Sequence, residues 1–349
     1  MQARPAPALA LGAALLFGLS APATKILVTT TDPWLLAGLL YLGSGVGLGL
    51  YRLGRPLLGW RVAEARLARW DLPWLGLAIL TGGVAAPVLM LFGLAGGSAA
   101  QAALLLNLEG VFTALLAWLA FGEAFDRRIA IGMAAIALGA LLLAWDPTGV
   151  APDGAAILVI AATLAWATDN NLTRRVSASD PVQIAALKGA VAGTVNLLIA
   201  LGRGAEPPGV TAVVGAALIG LFGYGTSLVL FVLALRQLGT ARTAAYFSTA
   251  PFIGALGAVL GLGEPVSGAL VAAGGLMALG VWLHLSERHE HEHVHEAIAH
   301  DHLHWHDAHH QHEHDPGVDG REPHGHPHVH PPVRHRHPHY PDLHHRHRH

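Results

Sequence analysis

The chain has 349 residues, 53% hydrophobic and 13% charged, with no cysteine and a formal net charge of −2 at pH 7. Ordinary soluble domains carry about a quarter charged residues, so this is the composition of a membrane protein. The lack of cysteine excludes disulfides and thiolate metal sites, and any metal must be held by nitrogen or oxygen.

Charge divides the chain in two. Residues 1–283 hold 15 Lys/Arg and 12 Asp/Glu, residues 284–349 hold six Arg and eleven Asp/Glu, and all 24 histidines lie at or after His284. Two regions with different physics therefore meet near Leu285.

Ten apolar runs precede the junction: 8–28, 33–51, 72–95, 100–121, 129–145, 155–173, 182–201, 210–234, 242–262 and 266–285. Each is near the roughly 20 residues that carry a helix across a hydrocarbon core of about 30 Å. The first run follows Arg4 and ends near Ala21-Pro22-Ala23, which is also the pattern of a secretory signal. Cleavage there would leave nine helices and spoil the alternation of charge, so the run is read as a span.

That alternation concerns twelve basic residues: Arg4, Arg52, Arg55, Arg61, Arg66, Arg69, Arg127, Arg128, Arg174, Arg175, Arg236 and Arg242. All fall in loops on one side, opposite loops carry Arg203, and the positive-inside rule then predicts that both termini and the tail are cytoplasmic. The connection from Arg52 to Asp71 mixes Arg and Glu with Trp60 and Trp70, the composition of a short interfacial helix.

The chain also repeats itself. Ala102 to Glu123, AALLLNLEGVFTALLAWLAFGE, recurs 141 residues later as TAAYFSTAPFIGALGAVLGLGE, Thr243 to Glu264, and the same offset pairs Gly82 with Gly223. Five helices per half is an odd number, so the two copies run in opposite directions through the membrane. The many glycines inside the runs, such as Gly43, Gly45, Gly47 and Gly49, let helix backbones approach closely.

Polar side chains within the spans require a reason, since a charge at the bilayer centre costs at least about 3 kcal/mol on insertion scales. Glu109 lies seven residues into its repeat segment, roughly 10 Å deep at 1.5 Å per residue. It either lines a cavity and binds a cation, a proton or a substrate amine, or serves as a structural partner of Lys188 or Asn196. Asn107 is two residues before it. In the sixth run Thr163, Trp166, Asn170 and Thr173 share one helix face, flanked by Asp169 and Asn171. Lys188 sits mid-helix, with Glu109 and Asp169 as candidate partners, while Lys25 is close enough to a helix end to snorkel. Tyr224, Tyr246 and Trp166 combine an aromatic face with a polar tip, as a substrate path or as packing anchors. No catalytic constellation is present: the spans lack histidine, and there is no G-x-x-x-x-G-K-[ST] loop.

Phe17-Gly18 and Lys25, the run ending Leu119-Ala120-Phe121-Gly122-Glu123, Leu164-Ala165-Trp166, and Ser248-Thr249-Ala250-Pro251 with Gly263-Glu264 resemble the drug/metabolite transporter superfamily, EamA type. The resemblance implies an all-α membrane protein of ten helices in two inverted five-helix repeats, 1–145 and 146–285, followed by a tail, 286–349. It also implies a secondary transporter in the bacterial inner membrane that moves small metabolites outward. Where the family usually has a helix-interior proline in the first copy, this chain has Glu109-Gly110, and Pro251 stands at the matching place in the second. The candidate substrate path is Glu109, Asn107, Asp169, Asn170, Asn171, Trp166, Lys188, Tyr246 and Pro251.

The tail cannot form a core and is predicted to be disordered. Its H-x-H pattern offers imidazoles to Zn, Ni or Co, with His289, His291, His293, His295, His300, His302, His304, His306, His309, His310, His312 and His314 as candidate ligands. A pH-responsive polyelectrolyte is the alternative, because histidine titrates near 6.5. The transporter itself requires no cofactor. Expected partners are the lipid bilayer, a small-molecule substrate, metal ions and a second copy of the chain, with no nucleic acid. Two rival functions stay open: a divalent metal permease, and a membrane-anchored metal store or sensor.

Overall fold

The computed structural model describes residues 6–55, 67, 69–121, 127–145, 153–173, 176, 179–238, 243, 246–285, 290–295, 298–304, 324–330 and 333–338. Helix occupies each of the ten apolar segments. We label these α1 (Ala6–Val28), α2 (Pro33–Gly54), α3 (Arg69–Gly96), α4 (Ala99–Leu105), α5 (Leu108–Phe121), α6 (Arg127–Leu143), α7 (Gly154–Thr173), α8 (Pro181–Gly202), α9 (Val210–Ala234), α10 (Ala250–Leu262) and α11 (Gly268–Leu285). Among the described residues seven candidate spans are long and apolar enough to cross a membrane, and α4 with α5 makes one of them.

Local chemistry sets the helix starts, and it does so alike in both halves. Asp32 precedes Pro33 and accepts from the Leu35 N–H at 3.1 Å. Asp180 precedes Pro181 and accepts from the Val182 and Gln183 N–H groups at 2.9 and 3.3 Å. A carboxylate N-cap followed by proline at the first helical position satisfies orphan donors with a residue that needs no donor of its own. Asp180 also meets Arg52 Nε at 3.5 Å, which ties the last turn of α2 to the first of α8.

These two helices pack antiparallel through glycine. A Cβ on Gly45 would stand 2.2 Å from the Ala190 nitrogen, and one on Gly189 would stand 2.6 Å from the Gly45 nitrogen. Backbone touches backbone there, which is how helices associate where apolar burial gives no preference over lipid.

Two irregularities recur in each half. The first is a π-helical turn, Ile79–Ala85 in α3 and Gly220–Thr226 in α9, separated by the 141 residues that relate the repeated segments. The second is a break in the helix that follows. α4 stops at Leu105, residues Leu106 and Asn107 form a turn, and α5 restarts at Leu108. Its counterpart is the turn at Ser248-Thr249 before α10. Pro251 lies in the first turn of α10, where its missing N–H costs nothing. Glu109 lies in the first turn of α5, where the positive end of the helix dipole favours a carboxylate.

The tail contains strands. β1 (Glu290–His295) pairs antiparallel with β4 (Val333–Pro338), and β2 (Ile298–His304) with β3 (His324–His330). The expectation of a tail without regular structure is therefore not met over these residues: alternating His-x-His chain has the period of a strand, and pairing satisfies its backbone groups.

Candidate functional site

The π turn of α3 is the floor on which the polar site is built. Helical hydrogen bonds are rearranged in such a turn, leaving carbonyls for side chains to satisfy. Gly82 O accepts from Tyr41 Oη at 2.6 Å and from Trp166 Nε1 at 3.0 Å, and Gly83 O accepts from Asn196 Nδ2 at 3.0 Å. Helices α2, α7 and α8 thus converge on two successive glycines.

Gly82 also makes room for a charge. A Cβ there would lie 1.9 Å from Asp169 Oδ2, so the carboxylate occupies the space that a side chain would fill. Lys188 Nζ donates to that Oδ2, and Thr173 Oγ1 donates to Asp169 Oδ1 at 2.9 Å. The pair is sheltered, with side-chain exposures of 16% for Lys188 and 6% for Asp169. Of the two partners open to Lys188 in the sequence, the structure selects Asp169.

Glu109 is held differently. Asn170 Nδ2 donates to its Oε1 at 2.7 Å and approaches Thr113 Oγ1 at 3.4 Å. Asn171 turns the other way, donating to Ala167 O at 2.9 Å and Thr113 O at 3.2 Å, which locks α7 to α5. Glu109 is half-buried and Asn170 is exposed, although both belong to apolar helices. A charged group does not face lipid, so this pair faces space within the bundle. Neither Lys188 nor Asn196 is its hydrogen-bond partner, since each is engaged as described above.

The other predicted residues divide in the same way. Asn107 is buried in the helix break, donating to Leu104 O at 2.9 Å and facing Met277 Sδ at 3.8 Å, a structural role. Pro251 is buried at the start of α10. Tyr246 gives its carbonyl to Thr249 Oγ1 at 2.6 Å, a local turn contact. Trp166 joins the site. Of the tail histidines, His291, His293, His295, His300, His302 and His304 lie on strands, while His289, His306, His309, His310, His312 and His314 lie outside the described residues.

Three residues of the site were not singled out in the sequence. Tyr41 reads as an ordinary aromatic of α2, and Thr113 as one hydroxyl in an apolar run. Phe247 completes an aromatic cluster: Tyr41 and Tyr224 have ring centroids 5.7 Å apart, Tyr224 and Phe17 6.3 Å, and Phe17 and Phe247 5.5 Å. The recurrence of Gly82 at Gly223 was the available signal, because an aromatic cluster beside two matched π turns is where the halves meet.

A second polar group lies at one end of the bundle. Glu264 follows Gly263, whose φ of 68° ends α10 in a left-handed cap. Its carboxylate accepts from Ser98 Oγ at 2.6 Å and from the Ala99 and Ala100 N–H groups at 2.8 and 2.9 Å, capping α4. Partial burial would push the Glu264 carboxyl up. The bonds from Ser98, Ala100 and Ala99 and the nearby Lys25 ammonium outweigh this and hold it below the usual carboxylate range. Lys25 does not snorkel freely: it donates to Leu94 O and, at 2.6 Å, to Gly97 O, closing the end of α3.

Comparison with known proteins bears on the family and the fold of the chain. A family model described as the EamA-like transporter family matches residues 4–145 and again 154–286. An uncharacterized transporter of Methanothermobacter thermautotrophicus is 31% identical over 287 residues, covering 78% of this chain and 83% of that protein. A solved structure described only as the crystal structure of a protein is 19% identical, with a TM-score of 0.59 over 80% of this chain and 95% of its own, a likeness of fold.

Proposed function

This chain belongs to the EamA-like transporter family, and on that premise we propose that it is a secondary transporter that exports small metabolites across the bacterial cytoplasmic membrane. Ten spans with both termini in the cytoplasm follow from the charge of the loops. Alternating access comes from rocking of two inverted halves around a site at their junction. One observation carries the reading: Glu109 stands at a mid-span helix break with Asn170 on its carboxylate, while Lys188 is committed to Asp169. A carboxylate presented to interior space without a bonded cation is a binding group. The test is efflux of a metabolite mixture from proteoliposomes, followed by mass spectrometry. Movement of a defined solute that stops in Glu109→Gln supports the reading, and no movement of any solute overturns it.

The tail gives the transporter a metal response. Strand pairing sets His300, His302 and His304 opposite His328, His326 and His324, and His291 and His293 opposite His337 and His335. Directly opposed positions are about 4.5–5.5 Å apart at Cβ, a spacing at which two imidazoles reach one Zn, Ni or Co ion. The same histidines favour a second reading, a divalent metal permease. Against it, no three His, Cys, Asp or Glu side chains come together among the described residues. Zinc flux into liposomes decides between the two.

A further inference from the structure

The charge count around Glu109 limits what the site can take. The ionisable groups within electrostatic reach of the carboxylate are Asp169 on α7, Lys188 on α8 and the Tyr41 hydroxyl on α2. Helix α6, also packed on α5, has its charged residues Arg127 and Arg128 in its first turn. Lys188 and Asp169 neutralise each other. What remains is the Glu109 carboxyl, and its charge when ionised inside a membrane is matched by a cation.

Aromatic faces continue from that charge. Trp166 lies one turn before Asn170 on the same face of α7. Its indole N–H and the Tyr41 hydroxyl meet at Gly82 O, and the Tyr41 ring leads to Tyr224 and Phe17. Trp166, Tyr224 and Phe17 are half-buried, so each keeps part of its surface open. Ring faces attract cations and cover apolar bodies alike. A substrate carboxylate finds no such match, since the one described cation at this level is already paired and two acids stand beside it.

We propose that Glu109, Asn170, Trp166, Tyr41, Tyr224 and Phe17 bind a monocationic organic amine with an apolar or aromatic body. Its ammonium sits on the Glu109 carboxylate and its body lies along the rings. This rests on the transporter reading above and narrows it to a substrate class.

Calorimetry on the full-length protein in lipid nanodiscs tests it with four probes of one body: phenethylamine, phenethyl alcohol, phenylacetate and phenylalanine. Phenethylamine should bind at least about tenfold tighter than the other three, and Glu109→Gln should remove at least that preference. Tyr224→Leu should weaken the amine roughly threefold to thirtyfold while sparing the alcohol more. Phenylacetate or phenylalanine binding as tightly as the amine overturns the assignment, as does failure of all four to bind or an unchanged affinity in folded Glu109→Gln. The wild-type ranking and Tyr224→Leu decide the matter if Glu109→Gln does not fold. In proteoliposomes, movement of acids or neutral solutes without any amine overturns this assignment and leaves the transporter reading standing. No movement of any solute overturns the transporter reading, and the nanodisc ranking still decides the ligand class.

Discussion

Lys188 and Asp169 form an ion pair inside the bundle, reached from adjacent helices and sheltered at 16% and 6% exposure. Burying one charge without the other is the costly step, so removing a single partner destabilises far more than removing both. Lys188→Met should therefore cost about 3–5 kcal/mol, and the double change with Asp169→Asn should recover most of it in a double-mutant cycle of unfolding in detergent. A double variant as unstable as Lys188→Met would show that the pair is not the stabilising unit. Lys188→Met should give no rescue of Glu109→Gln, whose carboxylate bonds to Asn170.

Two glycines, one against Asp169 and one next to Glu109 in sequence, should respond in opposite ways. Gly82→Ala puts a methyl where Asp169 Oδ2 lies, and should lower the melting temperature by expelling that carboxylate from its partner. Gly110 has nothing within 4 Å of its would-be Cβ. Alanine there should be neutral, or stabilising by up to about 1 kcal/mol through helix propensity. Equal effects at the two positions would contradict the packing described.

Glu264 makes a pH prediction with a definite sign. Its carboxyl is held below the ordinary 4.5 in the folded protein, so its stabilisation is fully present above that value and is lost as pH falls through the lowered one. The stability gap between the native chain and Glu264→Gln should be constant from neutral pH to about pH 5.5 and should close on further acidification. Melting curves across that range provide the check, and a gap that widens in acid would reverse the assignment.

Orientation in the membrane is tested by labelling. Cysteines placed at Thr31 and Gly204 should react with an impermeant reagent from outside the cell, and one at Trp70 should not, because the basic loops lie on Trp70's side. Labelling of Trp70→Cys from outside would overturn the topology.

For the tail, the full-length protein should take up several zinc ions near pH 7.5 and release them near pH 5, where protonated imidazole has no lone pair to give. A chain ending at Ser286 should lose this uptake while its transport persists. Equal zinc uptake by both proteins would move the metal site out of the tail.

Much of the architecture could be read from the sequence because the bilayer imposes a length on each apolar segment and duplication repeats the pattern. The 141-residue offset pairs Gly82 with Gly223, but nothing in residues 79–85 signals a widened helix, so the π turns were not legible in the sequence. The carboxylate at Glu109 and the polar face of α7 were visible as exceptions to apolar composition. The partner of Lys188 was not, since Glu109 and Asp169 are equally plausible by chemistry and only the missing side chain at Gly82 decides between them. The partners of Lys25 were not legible for a related reason: its reach to Leu94 O and Gly97 O depends on where α3 ends beside α1. The tail's period-two histidines were read as ligands, and the same period also suits strand pairing.

The matched π turns carry a historical consequence. A turn of this kind accommodates one residue more than the regular helix, and it stands at one register in both copies. Shared position points to a single insertion in an ancestral unit that was later copied. What lies against the two turns then diverged: Asp169 fills the space at Gly82, whereas a Cβ on Gly223 would stand 2.7 Å from the Ser20 Cβ. The backbone device is common to both copies, and the acid stands against one of them alone, so the asymmetry of charge is laid over a symmetric backbone.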